Sequence, residues 1–125
     1  MGNDQAMKGV VTLCGSVRFK DSFDKINKEL TLGGFVVLQP GVWEHEWLHK
    51  NENNAELTKK GLDGLHCEKI LMSHAIIVIN VNGYIGLSTK REIEYAKKND
   101  KLVYDLADYW KLLHWPEMSS WSISK

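Results

Sequence analysis

The stretch Ala75-Ile76-Ile77-Val78-Ile79 decides the fold, because every one of its residues is apolar and most are β-branched. Such a run predicts a strand buried on both faces, and strands of that kind belong to parallel sheets covered by helices on both sides. Two earlier apolar runs also predict strands, and a fourth strand is expected after the Asn99-Asp100 turn. The predicted strands span residues 10–14, 35–38, 75–79 and 101–104.

Helical patterns separate these strands. Apolar residues spaced along one helical face predict a first helix from about residue 19 to the stop at Gly33-Gly34. A second helix is predicted over about 55–72, and a third from Ser88 or Thr89 to Lys98, whereas 41–55 is expected to be a loop or short irregular helix. The alternation predicts an α/β fold, a single-domain parallel sheet with helices on both faces, flavodoxin-like or Rossmann-like.

Length and charge narrow the function. The 125 residues predict one domain, with a core over about 9–104 and a Trp-rich C-terminal tail over 105–125. Sixteen Lys+Arg balance sixteen Asp+Glu, which argues against nucleic-acid or membrane partners that need a basic excess. With no signal-peptide pattern and no apolar stretch near the ~20 residues of a membrane span, we expect a cytoplasmic protein. Its two cysteines, Cys14 and Cys67, are expected to be free thiols.

Glycine-bearing and polar loops follow the first three predicted strands. In such a sheet, ligands bind outside the carboxyl ends of the strands, where the strand order reverses. We therefore expect residues 15–18, 39–41 and 80–88 to face one crevice. The predicted substrate-binding residues are Gly15, Ser16, Arg18, Gln39, His45, Asn80, Gly83, Tyr84, Gly86 and Ser88.

The stretch Gly15-Ser16-x-Arg18 has two interpretations. A glycine that lets the backbone approach, a helix N-terminus and an arginine side chain together suit an anion such as phosphate. The same residues also suit a tight turn in which Ser16 caps a helix and Arg18 is solvated. Tyr84 likewise either stacks on a base or bonds a sugar, or is an exposed aromatic residue of a turn.

Thr89-x-x-Glu92 also has two interpretations. It matches a capping box, with Thr89 at the N-cap and the Glu92 carboxylate bonded back to the Thr89 amide. Alternatively, Glu92 is a nucleophile on the first turn of a helix that opens into the crevice, kept ionised by the positive helix end.

The stretch His45-Glu46-Trp47-Leu48-His49 matches the HExxH pattern of zinc proteases. It lies in a predicted loop, without the apolar flanks of an active-site helix or an obvious third ligand. A chance match with His45 in a binding loop is the favoured interpretation, and no metal ion or cofactor is expected.

In chain order, several stretches resemble the nucleoside 2-deoxyribosyltransferase superfamily, close to its small phage and bacterial members. The resemblance covers about residues 9–104 and is most specific in the Ser-Thr-x-x-Glu-Ile-x-Tyr-Ala stretch after the central strand. The stretches are Leu13-Cys14-Gly15-Ser16-x-Arg18-Phe19, Leu62-Asp63-x-Leu65-His66-x-x-Lys69-Ile70, Ala75-Ile76-Ile77-Val78-Ile79-Asn80 and Gly83-Tyr84-Ile85-Gly86-x-Ser88-Thr89-x-x-Glu92-Ile93-x-Tyr95-Ala96.

The resemblance implies cleavage or transfer at the N-glycosidic bond of a (deoxy)nucleoside or nucleoside 5′-monophosphate. It makes Glu92 the catalytic nucleophile and places Gly15, Ser16, Arg18 and Ser88 around a 5′-phosphate. It also implies a homodimer or higher homo-oligomer, in which the Trp-rich tail would suit a contact with the neighbouring subunit.

One position departs from the family pattern. Where the family has an aspartate just before the central strand, this chain has His74. An imidazole can donate a proton to a leaving base, so His74 is a second catalytic candidate; the alternative is a histidine with a structural bond at a strand start. The departure also leaves open a non-catalytic module that binds a nucleotide or nucleotide-derived signal.

Overall fold

A computed structural model describes residues 7–43 and 55–114, with no side-chain detail for 55–58. The strands are β1 (Gly9–Gly15), β2 (Phe35–Leu38), β3 (Ala75–Ile79) and β4 (Leu102–Asp105). The helices are α1 (Lys20–Leu32), α2 (Ala55–Leu71) and α3 (Leu87–Lys98). Short 3-10 helices lie at Val17–Phe19, Val81–Gly83 and Tyr109–His114.

The four strands form one parallel sheet in the order β2-β1-β3-β4. β3 pairs with β1 along its whole length, from Ala75 opposite Val11 to Ile79 opposite Gly15. The chain leaves β1 toward β2 on one side and leaves β3 toward β4 on the other, so the strand order reverses between β1 and β3. Ligand crevices of open α/β sheets lie at this point, beyond the carboxyl ends of the two strands. The predicted parallel α/β fold is confirmed.

The alternation of side chains along the strands gives the sheet a core on each face. One face packs against α1 and the last 3-10 helix, and its buried residues are Val11, Leu13, Phe23, Ile26, Leu30, Phe35, Ala75, Ile77, Ile79 and Leu112. The other face packs against α2 and α3, through Cys14, Ile70, Ile76, Val78 and Ala96. Helices therefore cover both faces, as the continuous apolar run of β3 predicts.

The ends of the chain add two details. Of the tail, the structure describes 105–114, where Leu112 is fully buried and Trp110 is about half exposed. Trp115 and Trp121 lie outside the described residues, as does the 44–54 segment that contains the HExxH match. No helix among the described residues is long and apolar enough to cross a membrane.

Candidate active site

A cavity of about 730 Å³ lies beyond the carboxyl ends of β1 and β3. Its volume falls within the range of roughly 300–1,000 Å³ that is typical of small-molecule sites. The walls come from the loops after β1, β2 and β3, from α2 and from the start of α3. The residues that matter most here are Gly15, Ser16, Trp43, Lys59, Asp63, His66, Lys69, Tyr84, Gly86, Ser88 and Glu92.

Glu92 reaches this cavity from α3. The helix begins at Leu87 and its N-cap is Gly86, which makes no side-chain cap. Thr89 is thus three residues into the helix and buried, so the capping-box interpretation is wrong. Glu92 lies in the second turn rather than the first, and one turn of helix separates it from the free N–H groups.

Burial sets the charge of Glu92. Its side chain is 16% exposed. Burial, and then the neighbouring Asp63 carboxylate, raise the pKa of Glu92 to about 7, although a hydrogen bond from the Cys14 thiol and the charge of Lys59 partly oppose this. The expectation that the helix end keeps Glu92 fully ionised is therefore wrong, because desolvation outweighs it. Near pH 7, protonated and ionised forms of Glu92 coexist.

His66 stands next to Glu92, and it is the site residue that the sequence analysis missed. Its Nε2 lies 3.8 Å from Glu92 Oε1 and 3.4 Å from the Cys14 sulfur. Burial, followed by the charge of Lys69, lowers the pKa of His66 to about 4, so the ring is neutral at pH 7. At that pH the contact with Glu92 is therefore not a salt bridge.

The available sequence signal for His66 was weak. Leu62, His66 and Ile70 recur every four residues and share the face of α2 that packs inward. A histidine on such a face is expected to be buried, and His66 is 8% exposed. What the spacing does not show is that α3 brings a carboxyl group against the ring.

The loop after β1 lies on the opposite side of the cavity. Gly15 has a φ of +155°, and a Cβ there would lie 3.0 Å from both the Ile79 Cβ and the Ile79 carbonyl oxygen. Ser16 caps the following 3-10 helix by accepting from the Arg18 amide N–H at 3.4 Å, as the turn interpretation predicts. That local role leaves Gly15 and Ser16 in the cavity wall.

Arg18 is exposed at the rim and is not part of the cavity wall, but it contacts a residue that is. Its guanidinium lies 4.2 Å from the centre of the Tyr84 ring, and Tyr84 itself lines the cavity. Phe19 meets the same ring edge-on at 6.0 Å. A guanidinium over an aromatic face contributes about 0.5–1 kcal/mol at an exposed site, so the pair can part for a ligand at small cost.

Only some of the predicted binding residues that follow β3 line the cavity. Tyr84, Gly86 and Ser88 line the cavity, whereas Asn80 and Gly83 do not. Asn80 instead ties β3 to the end of β4, because its Oδ1 accepts from Leu106 N–H at 3.1 Å. Gly83 has a φ of +79° and supports the turn.

Two other predicted site residues, Gln39 and His74, do not line the cavity. His45 lies outside the described residues. The Gln39 carbonyl oxygen accepts a hydrogen bond from Lys69 Nζ at 2.7 Å. Gln39 therefore helps to position Lys69, which lines the cavity. His74 precedes β3, and its Nδ1 accepts from the Val10 amide at 3.0 Å. The five residues of β3, at about 3.3 Å each, separate His74 from the cavity edge, and its geometry fits the structural alternative.

Cys14, His66 and Glu92 are also the residue types that hold zinc, and their donor atoms lie within 4.8 Å of one another. A metal-bound histidine normally donates its second ring N–H to a carboxylate, a carbonyl or water. Nδ1 of His66 is buried and has no such partner in the described structure. Among the described residues, the donor set therefore lacks the outer hydrogen bond that usually supports a metal-bound histidine.

The protein-family models, the curated proteins and the solved structures with which the chain was compared contain no match to it. The assignments that follow rest on the geometry of the cavity and on the sequence motifs.

Proposed function

We propose that this protein cleaves or transfers at the N-glycosidic bond of a (deoxy)nucleoside or nucleoside 5′-monophosphate, with Glu92 as the nucleophile. The observation that carries the proposal is a nearly buried carboxyl group in the wall of a nucleoside-sized cavity, at the switch point of a parallel sheet. We further propose membership of the nucleoside 2-deoxyribosyltransferase superfamily and a cytoplasmic location.

The chemistry follows from the carboxyl group. As the base departs, positive charge develops on the sugar ring, and an ionised carboxylate stabilises that charge and then bonds to C1′. Water or a second base displaces Glu92 in the next step and gives hydrolysis or transfer. Because each step inverts C1′, the product keeps the configuration of the substrate.

The cavity walls suit the parts of a nucleotide. Ser16, Ser88 and the N-terminus of α3 offer hydroxyl and amide N–H donors for a 5′-phosphate, and Arg18 is within reach at the rim. Trp43 and Tyr84 supply aromatic surface on which a base can stack. These contacts support a phosphorylated substrate over a bare nucleoside.

An oligomer remains part of the proposal. Leu65, Met72 and Leu87 line the cavity and are each more than 60% exposed. Apolar side chains at the rim of a site are typical of surfaces that a second subunit covers. We propose a homodimer or higher homo-oligomer on this basis.

The test is release of free base, followed by chromatography. The protein is incubated with nucleosides and their 5′-monophosphates, with and without an acceptor base, beside Glu92→Gln and Glu94→Gln. Glu94 is an exposed carboxyl on the same helix, so its variant is a matched control. Release by wild type and Glu94→Gln, with a loss of at least ~1,000-fold in Glu92→Gln, supports the proposal.

The alternative is a binding module for a nucleotide or nucleotide-derived signal. The departure at His74, which left this module open, still stands, although the capping-box interpretation of Glu92 is wrong. Ligand binding without base release from any substrate would nevertheless establish it, and would refute the enzyme.

A further inference from the structure

His66 and Glu92 form a polar pair in the cavity wall. The side chain of His66 is 10% exposed and that of Glu92 is 16% exposed, and their facing atoms lie 3.8 Å apart. His66 comes from α2 and Glu92 from α3, so the fold itself holds the two groups together. Nδ1 of His66 has no hydrogen-bond partner among the described residues, which leaves Nε2 as the nitrogen engaged in the site.

We propose that His66 is the catalytic acid and base of this site, taking a proton from Glu92 through Nε2 and giving it to the departing base. The inference rests on the proposed function and assigns a residue to the proton transfer that function requires. It moves the proton donor from His74, at the far edge of the sheet, to a histidine that lines the cavity.

The protons and electrons balance over the cycle. The proton of Glu92 passes to Nε2 of His66 and leaves a carboxylate beside an imidazolium. The carboxylate oxygen bonds to C1′ while the C1′–N bond breaks, and the base nitrogen keeps that electron pair and receives the proton from Nε2. In the second half, water or an acceptor base attacks C1′ and gives its proton to Nε2. Glu92 departs from C1′ and recovers the proton from His66.

The charges around the ring support this assignment. The Cys14 thiol faces it from β1 and the Glu92 carboxyl from α3, while Lys69 and Asp63 flank it on its own helix. The pKa of Glu92, about 7, keeps a proton next to the ring near neutral pH, and the pKa of His66, about 4, makes its imidazolium a strong acid that forms only transiently, about a thousandfold less populated than protonated Glu92. Two groups with pKa values displaced in opposite directions are typical of acid–base pairs in active sites.

Substrate must separate the pair slightly. In enzymes that retain configuration, the nucleophile and the acid stand about 5–5.5 Å apart, so that the sugar and its leaving group fit between them. The 3.8 Å contact must therefore open by roughly 1–2 Å as the sugar arrives. Proton transfer from Glu92 to His66 precedes that separation and requires the two groups first to close from 3.8 Å to hydrogen-bond distance.

The experiment varies the leaving group. An ordinary purine nucleotide needs a proton on its departing base, whereas an N7-methylated purine nucleotide already carries a positive charge and leaves without one. We expect His66→Asn and His66→Gln to lower kcat/KM about 100-fold or more for the ordinary substrate and less than about tenfold for the methylated one. His114→Asn, a change at an exposed histidine, is the matched control and should affect neither.

The wild type provides a second readout that does not depend on variants folding. For the ordinary substrate, kcat/KM should fall above a pH of about 7, where the pair has lost its proton, whereas the methylated substrate should show no such fall. Equal losses on both substrates, or identical pH profiles, would overturn the role of His66 while leaving the glycosidase intact. Absence of base release by the wild type from every substrate would overturn the proposed function and this assignment together.

Discussion

Replacing Glu92 by glutamine should change how the stability of the protein depends on pH. In the unfolded chain this carboxyl group titrates near 4.5, and in the folded protein its pKa is about 7. Between those values the folded state holds a proton that the unfolded state has lost, so the free energy of unfolding falls as pH rises. This difference in pKa corresponds to a loss of about 3 kcal/mol in the free energy of unfolding, which is complete above pH 7.

His66 has the opposite effect on the pH dependence of the free energy of unfolding. Its pKa is about 4 in the folded protein against 6.5 for an ordinary histidine, so the unfolded state binds the extra proton between those values. Its contribution is fully present above pH 6.5, and about 3 kcal/mol of stability is lost as pH falls to 4. From pH 4.5 to 6.5 the two contributions cancel, and the pair gives the wild type no net slope.

Single variants separate the two contributions. Urea denaturation at several pH values, followed by tryptophan fluorescence, gives the free energy of unfolding of each protein. Relative to wild type, Glu92→Gln should gain about 3 kcal/mol between pH 4.5 and 7, and His66→Asn should lose a similar amount between pH 4 and 6.5. The control Glu94→Gln should parallel wild type. A constant difference between Glu92→Gln and wild type at all pH values would refute the claim that burial displaces this carboxyl.

Two other predictions concern stability and titration away from the pair. Gly15→Ala should lower the free energy of unfolding by about 1–3 kcal/mol, because its Cβ would meet Ile79 at 3.0 Å. Gly64→Ala, with open space at mid-helix, should instead raise it by about 1 kcal/mol, and the same signs in urea denaturation would contradict the packing argument. The Tyr109 hydroxyl donates to Glu29 Oε1 at 2.6 Å, and burial and this bond raise the pKa of Tyr109 to about 12. Tyr109→Phe should therefore remove the latest step of an absorbance titration of the tyrosines, and persistence of that step would assign it elsewhere.

The sheet could be predicted from sequence because its signal is local. The apolar run at 75–79 matches β3 residue for residue, and 35–38 matches β2. Strand and helix ends moved by one or two residues, since apolar periodicity defines the buried part of an element rather than its last hydrogen bond. The start of α3 shows the consequence: the N-cap lies at Gly86, three residues before Thr89, and this removes the capping box.

Site residues could be predicted from sequence only where they follow directly after a strand. Ser16 and Tyr84 belong to loops at strand ends and Ser88 to the first turn of the helix that follows β3, so the rule for open sheets places them in the cavity from topology alone. His66 and Trp43 line the cavity because of tertiary packing. No local sequence pattern predicts which helix face packs against which loop. His74 shows the converse error, because its place at a strand start puts it at the wrong edge of the sheet whatever its chemistry.

The energetics of the pair explain why it belongs to a site rather than to the core. Burial of Glu92 destabilises the fold above neutral pH, and burial of His66 destabilises it in acid, by about 3 kcal/mol each. That is a large fraction of the 5–15 kcal/mol by which a domain of ordinary stability stays folded. Apolar residues of similar size would pack the same space, next to Cys14, without either cost. Two polar groups that weaken the fold at opposite ends of the pH range, yet together hold one proton near neutral pH, are what the proposed proton transfer needs.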